Sequence, residues 1–247
     1  MSRVHHALPK PWNRHTGRPK TLGLYRAVEL ACMYVRQNCS QEFLGDLRGV
    51  SQSTVSRIVA ELVPVVAEVL DEFVPDPAEA IELVQGRVSL VDGTLARCWS
   101  YADHPELWSR KYATTGFNIQ VVGLLDGRPV FISDPLPGST HDARAFKETP
   151  VVDIVRASGG GIGDKGYQGC DVMATPRKRP PKGELSRRDK QCNAEHSALR
   201  APIERLIAAV KAWRILHADF RRPFRTYHET FRATRALFFF ATKWGFE

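Results

Sequence analysis

The sequence predicts an α/β protein in which an all-helical N-terminal domain precedes a mixed β-sheet. Residues 21–72 carry apolar side chains at helical spacing. Three strand-like runs follow at 87–99, 116–127 and 128–138, and Asp126-Gly127 between the last two is a strong hairpin signal. The change from a helical to a strand-like pattern marks the border between the two predicted domains.

Composition is ordinary for a folded globular protein. The chain has 247 residues, of which 43% are hydrophobic and 25% charged. No apolar run is long enough to span a bilayer, and the N-terminus lacks the apolar core of a secretory signal. The five cysteines are scattered without a CxxC pair, which predicts reduced thiols and a cytoplasmic location.

The charge is strongly positive and clustered. The formal net charge is +8 and the pI about 9.4, a balance that favours polyanionic partners, above all nucleic acid. The alternative is a solvated basic surface. Basic residues concentrate in 176–190, in 17–20 and around Arg214, Arg221, Arg222 and Arg225. Clustered charge binds phosphates better than dispersed charge, so the distribution favours nucleic acid.

Residues 1–20 are predicted to form a flexible basic arm. Their GRPK segment at 17–20 resembles short Arg-Pro cores that enter narrow minor grooves. A disordered tail without a specific role is the alternative.

Residues 21–75 contain the pattern of a helix-turn-helix. Ser40 can cap a short helix, Gly49-Val50-Ser51 makes a turn, and Ser51 can cap the next helix. In such a motif the second helix enters the major groove of DNA with its N-terminal residues. The predicted DNA contacts are Gln52, Ser53, Thr54 and Arg57. A plain helical bundle with ordinary caps is the alternative.

The remaining elements predict an RNase H-like mixed-sheet domain at 85–247. A linker at 71–80 leads to the three strands, then a helix over 142–158 and a short strand within GGGIGDKGYQG. A basic loop at 176–192 follows, and two helices run from Asn193 onward. Strands, helix, strand and final helices form the order expected of that fold, whose sheet carries acidic residues at strand ends.

Two aspartates end apolar strand runs. Asp92 follows SLV and Asp164 follows GIG. A carboxylate at such a place is costly to desolvate unless a charge compensates it, and hard oxygen ligands favour Mg²⁺ or Mn²⁺. Glu204, one helical turn after Arg200, is the predicted third ligand. The alternative is a surface glutamate that pairs with Arg200.

Four motifs in this order, VDGT, PGSTHDARAF, GDKGY and LRAPIERLIAAVK, resemble the DDE transposases of bacterial insertion sequences, in the branch related to Harbinger elements. The resemblance covers roughly residues 22–243 and implies the acidic triad Asp92, Asp164 and Glu204, two divalent ions, and two-metal cleavage and strand transfer at the ends of a mobile element. It further implies a homodimer on double-stranded DNA, no membrane, and a place at the bacterial nucleoid.

Several residues beside the triad keep more than one interpretation. Asp142, after His141, is a further candidate metal ligand or a helix cap. Lys165, where smaller residues are frequent in the family, would weaken metal binding or meet a phosphate. The predicted contacts to the DNA backbone are Arg177, Lys178, Arg179, Lys182, Arg187, Arg188, Arg200 and Lys211.

Three rival functions share parts of this pattern. A DNA-binding regulator would use the helix-turn-helix without needing carboxylates at strand ends. A domesticated, catalytically silent transposase relative would bind DNA without cutting it. A metal-dependent nuclease of the same fold would stop after hydrolysis.

Overall fold

The computed structural model describes residues 1–13 and 19–245. The chain divides into two compact units: Met1–Val74 joins Lys211–Glu247, and Pro75–Val210 forms the second. The predicted catalytic domain at 85–247 differs from this division, because the C-terminal segment packs with the N-terminal helices. No helix of the described residues is long and apolar enough to cross a membrane.

The first unit is helical, as predicted. Its helices are α1 (Ser2–Ala7), α2 (Leu24–Gln37), α3 (Gln41–Arg48), α4 (Gln52–Val69) and, after the second unit, α9 (Tyr227–Gly245). Both predicted caps are confirmed: Ser40 Oγ accepts from the Phe43 amide and Ser51 Oγ from the Thr54 amide. Gly49 closes α3 in the left-handed region at φ 65°, which favours glycine.

The N-terminal segment departs from the predicted flexible arm. Ser2–Ala7 is helical, and Val4, Leu8 and Trp12 are buried. Trp12 Nε1 also donates to the Leu22 carbonyl at 2.8 Å. These buried side chains anchor a segment whose basic and polar composition predicted a flexible arm. Gly17 and Arg18 of the GRPK segment lie outside the described residues.

The second unit is built on a mixed sheet. Its strands are β1 (Ser89–Arg97), β2 (Trp108–Ser109), β3 (Thr114–Leu124), β4 (Pro129–Ile132), β5 (Leu136–Pro137), β6 (Gly161–Ile162) and β7 (Met173–Ala174). β3 pairs antiparallel with β1 and β4, whereas β6 is parallel to β1 and β7 to β6. Three antiparallel strands followed by two parallel ones give the predicted RNase H-like sheet. The two-residue strands β2 and β7 carry no periodic signal, and the sequence missed them.

Helices cover both faces of this sheet. They are α5 (Pro77–Val84), α6 (Asp142–Glu148), α7 (Val151–Ala157) and α8 (Arg187–Lys211). Val91 and Val122 share one core with residues of α5, α6 and α7. On the opposite face, a Cβ added to Gly123 would lie only 2.8 Å from Leu206 Cδ2 of α8, so Gly123 permits the close approach of that helix.

Three predicted boundaries need correction. The predicted linker at 71–80 contains the start of α5, where Asp76 and Glu79 form a capping box at the helix N-terminus. The predicted helix at 142–158 breaks at Thr149, because the residue before a proline is disfavoured in a helix. The predicted loop at 176–192 ends early, since α8 begins at Arg187 and Ser186 Oγ accepts from the Asp189 amide.

Candidate active site

Asp92 lies within β1 rather than at its end, on the face covered by α8. Its Oδ2 accepts a hydrogen bond from Arg200 Nη2 at 2.9 Å, and its Oδ1 accepts from the Gly93 amide at 2.9 Å. Burial raises the pKa of Asp92 to about 6, with Arg200 lowering it and Asp164 raising it. Asp92 is therefore a carboxylate held in a costly environment beside a second acid.

Asp164 stands next to Asp92 because their strands are parallel neighbours. Leu90 of β1 pairs with Ile162 of β6, and each aspartate comes two residues after its paired position. Asp164 opens the short 3-10 turn Lys165–Tyr167, and its Oδ1 accepts from the Gly166 amide at 2.7 Å. The structure thus brings two of the three predicted triad residues together.

Glu204 is connected to Asp92 through Arg200. Its side chain is 63% exposed on α8, and its Oε1 lies 3.9 Å from Arg200 Nη1. The same guanidinium contacts Asp92, so one cation faces both carboxylates. The ion pair that the surface-glutamate interpretation predicts is therefore present, on the side of α8 that faces Asp92.

Asp142 is not a helix cap. His141 is the N-cap residue of α6, and no side-chain capping bond forms there. The Asp142 carboxylate is buried, and it accepts from Lys111 Nζ at 2.7 Å and from Asn118 Nδ2 at 3.0 Å. A Cβ added to Gly166 would lie 2.8 Å from Asp164 Oδ1 and 3.0 Å from Asp142 Oδ2, so these two carboxylates are neighbours.

A buried chain of hydrogen bonds connects Asp142 to the turn that carries Asp164. Asn118 Oδ1 accepts from Gln120 Nε2 at 2.8 Å, and Gln120 Oε1 accepts from the Tyr167 hydroxyl at 2.6 Å. Burial, with the nearby carboxylates, raises the pKa of Tyr167 well above its ordinary value. Tyr167 therefore acts as a hydrogen-bond donor that ties the Asp164 turn to β3.

Sequence reasoning missed Lys111, Asn118 and Gln120. Burial lowers the pKa of Lys111, but the hydrogen bond and charge of Asp142 more than offset this and raise it above its ordinary value. Asn118 and Gln120 had a signal, because polar residues two apart in the apolar run FNIQVV must share one face of a buried strand. Lys111 lies in the segment between β2 and β3, which has no periodic pattern, so no feature of the sequence marked it.

Removing the Tyr167 hydroxyl should destabilise the protein, because it breaks the hydrogen bond to Gln120. We expect Tyr167→Phe to lower the free energy of unfolding by about 1–3 kcal/mol, because the buried Gln120 oxygen loses its donor. Urea unfolding measures the change. Tyr112→Phe is the matched control, since that hydroxyl is 3.5 Å from the Gly93 carbonyl and Tyr112 is 39% exposed. Equal stability of both variants would contradict the role given to Tyr167.

The predicted DNA contacts lie in two places. In α4, Gln52, Ser53 and Arg57 are exposed and Thr54 is half-buried. The basic side chains before and at the start of α8 are all exposed: Arg177, Lys178, Arg179, Lys182, Arg187 and Arg188. Arg200 differs from this group, because it is 12% exposed and pairs with Asp92. Lys211 is half-buried at the end of α8.

The donor atoms suit a hard divalent cation, although the arrangement is incomplete. Asp92 and Asp164 offer adjacent carboxylate oxygens, the ligand type that Mg²⁺ and Mn²⁺ prefer. Within residues 1–13 and 19–245, however, no three His, Cys, Asp or Glu side chains form a group that could hold a metal ion. Arg200 and Lys111 supply the positive charge that compensates the carboxylates.

Comparisons with known proteins identify the family of the chain. Residues 91–238 match the DDE superfamily endonuclease family, and residues 29–72 match the helix-turn-helix of DDE superfamily endonucleases. The chain is 30% identical over 202 residues to the protein assigned as transposase of insertion sequence element IS112 of Streptomyces albus G, covering 81% of this chain and 73% of that one.

Two solved structures resemble the chain only loosely. The Mos1 transposase paired-end complex with left transposon end is 15% identical, with 84% of this chain and 79% of that chain covered and a TM-score of 0.23. A pre-cleavage Mos1 transpososome is 14% identical, with 87% and 84% covered and the same TM-score. At that score the likeness carries no argument. The family model and the 30% identical relative show that the chain belongs to the DDE superfamily endonuclease family, whose members include transposases of insertion sequences.

Proposed function

We propose that this chain is a transposase that binds the ends of its mobile element and catalyses DNA strand cleavage and strand transfer. The observation that carries the proposal is the adjacency of Asp92 and Asp164 on parallel neighbours of an RNase H-like sheet, within a chain of the DDE endonuclease family. A regulator that only binds DNA has no use for a carboxylate whose pKa is raised chiefly by burial and further by a second acid.

Asp92, Asp164 and Glu204 are the residues that would hold the proposed Mg²⁺ or Mn²⁺, two ions in all. Bound ions of this kind activate a water or a 3′-hydroxyl and stabilise the departing oxygen. The chain itself supplies two cations, Arg200 paired with Asp92 and Lys111 paired with Asp142, which would contact the scissile phosphate. No covalent protein intermediate is needed.

The helix-turn-helix supports DNA as the partner. Its second helix, α4, exposes Gln52, Ser53 and Arg57 at its N-terminal end, where such helices meet base edges. The exposed basic loop before α8 would follow the phosphate backbone and position the duplex without reading its sequence. Pairing of two element ends by a homodimer, at the bacterial nucleoid, completes the proposal.

A cleavage assay tests this function against its rivals. Duplexes made from the DNA that flanks this reading frame are incubated with the protein, Mg²⁺ and a target plasmid. A transposase yields cut ends and joined product, whereas a nuclease yields cuts without joining. A regulator or a silent relative shifts the duplex in a gel without cutting it, and that result would overturn the proposed activity.

A further inference from the structure

A groove runs along one side of the helix-turn-helix. Its volume is about 620 Å³, and its walls are the N-terminal end of α3, the α4 face that carries Gln52 and Ser56, and the segment Arg221–Thr226. Arg221, Arg222 and Arg225 all line it. These arginines come from the C-terminal part of the chain, far outside residues 29–72, which match the helix-turn-helix family.

The segment that carries the arginines is held firmly in place. Asn38, which closes α2 in the left-handed region, donates from Nδ2 to the Asp219 carbonyl at 3.2 Å, and its own carbonyl accepts from Arg221 Nη2 at 2.8 Å. Phe220 is fully buried and packs edge-on against the Tyr227 ring at 5.2 Å. The charged side chains therefore project from a fixed backbone rather than from a loose loop.

The electrostatics of the groove favour an anion. Three arginines face one acid, Glu42, among the lining residues. The N-terminus of α3, capped by Ser40, adds the positive end of a helix dipole on the same side. Burial raises the pKa of Tyr34 in this groove, and the charges of Arg222 and Arg221 lower it, which places both cations close to the Tyr34 ring.

We infer that this groove binds the DNA phosphate backbone beside the major groove that α4 enters, so that Arg222 and Arg225 complete the DNA-binding surface of the helix-turn-helix. The inference rests on DNA binding by α4 as proposed above. Gln52 lies at the border of the two surfaces, because it lines the groove and also belongs to the exposed recognition end of α4. A duplex seated on Gln52 and Arg57 therefore presents its backbone to the arginines.

The test compares two doubly substituted full-length proteins. Arg222→Ala/Arg225→Ala removes two positive charges from the groove. Arg3→Ala/Arg232→Ala removes two that pair with Glu72 and Asp71, beyond the opposite end of α4 and about 25 Å from Gln52 along the helix. The probe is a 30-base-pair duplex of mixed sequence, titrated by fluorescence anisotropy at several salt concentrations.

The groove variant should bind roughly ten- to hundred-fold more weakly at 0.1 M salt, and the slope of log affinity against log salt should fall by about 2. The control should keep the wild-type affinity and slope, and Arg222→Lys/Arg225→Lys should recover most of the binding. Wild-type affinity and slope in the groove variant would overturn the inference, as would a change confined to its oligomeric state.

Failure of the proposed function gives a different result. If Arg57→Ala binds like wild type while the groove variant loses affinity, α4 is not the reading helix but the groove still binds DNA. If no duplex binds to the wild-type protein, both the proposed function and this inference fall. Thermal melts of each variant establish that the fold is intact.

Discussion

Asp92→Asn, Asp164→Asn and Glu204→Gln should each abolish strand cleavage in Mg²⁺ while leaving binding of the element ends largely intact. Each substitution keeps the size of the side chain and removes the charge that an ion or a developing charge would meet. Loss of one such group lowers rates on the order of 10²–10³-fold or more. Product formation on a labelled end duplex measures the loss, and gel shifts measure binding.

Glu195→Gln is the matched control for Glu204. It is an exposed glutamate on the same helix, α8, and should cleave at the wild-type rate. If Glu204→Gln cleaves normally, the third ligand has been assigned to the wrong residue, and Asp142 is the next to test. The Asp142 carboxylate already accepts from Lys111 and Asn118, so the present structure favours a positioning role for it.

How far the sequence predicts this site depends on the range of the interactions involved. Asp92 and Asp164 could be predicted from the local sequence, because each lies inside or directly after an apolar strand. A carboxylate charge buried there must be compensated by another charge. Glu204 depended on the resemblance, because its helix shows nothing unusual at that position. The Arg200 bond to Asp92 joins residues 108 positions apart, and no pattern in the sequence encodes it.

The fold shows the same limit. Helices α2, α3 and α4 follow from periodicity, and capping serines mark the starts of α3 and α4; both signals are local. The grouping of 211–247 with the N-terminal helices depends on contacts between segments distant along the chain. Asn38 with Asp219 is one such contact, and neither residue has a pattern that predicts its partner.

The raised pKa of Asp92 predicts that this carboxylate destabilises the fold at neutral pH. Its ordinary value is 3.8 and its value in the folded protein is about 6. Below the lower value both states hold the proton, and Asp92 contributes nothing. As pH rises through this window the unfolded state ionises first, so stability falls. Above about pH 6 the cost is complete, at roughly 3 kcal/mol.

Asp92→Asn should therefore be more stable than the wild type at pH 7.5 in EDTA, by up to roughly 3 kcal/mol, and equal to it below about pH 3. Unfolding in urea at several pH values measures this difference. Asp153→Asn, at an exposed position on α7, is the control and should follow the wild-type profile. A constant difference across the pH range would mean that Asp92 does not carry the buried charge.

The same variants test ion binding without any reference to cleavage. A cation that binds the ionised carboxylates stabilises the folded wild type, by about 2.7 kcal/mol at a hundred times its dissociation constant. Mg²⁺ should thus offset the cost of Asp92 at pH 7.5 and lose its effect as Asp92 takes up a proton at lower pH. Asp92→Asn should gain little from Mg²⁺, because it has lost the ligand and already lacks the buried charge. If Mg²⁺ stabilises wild type and Asp92→Asn equally, the ion binds elsewhere on the protein. Asp92 would then destabilise the fold without being the metal ligand that the proposed chemistry requires.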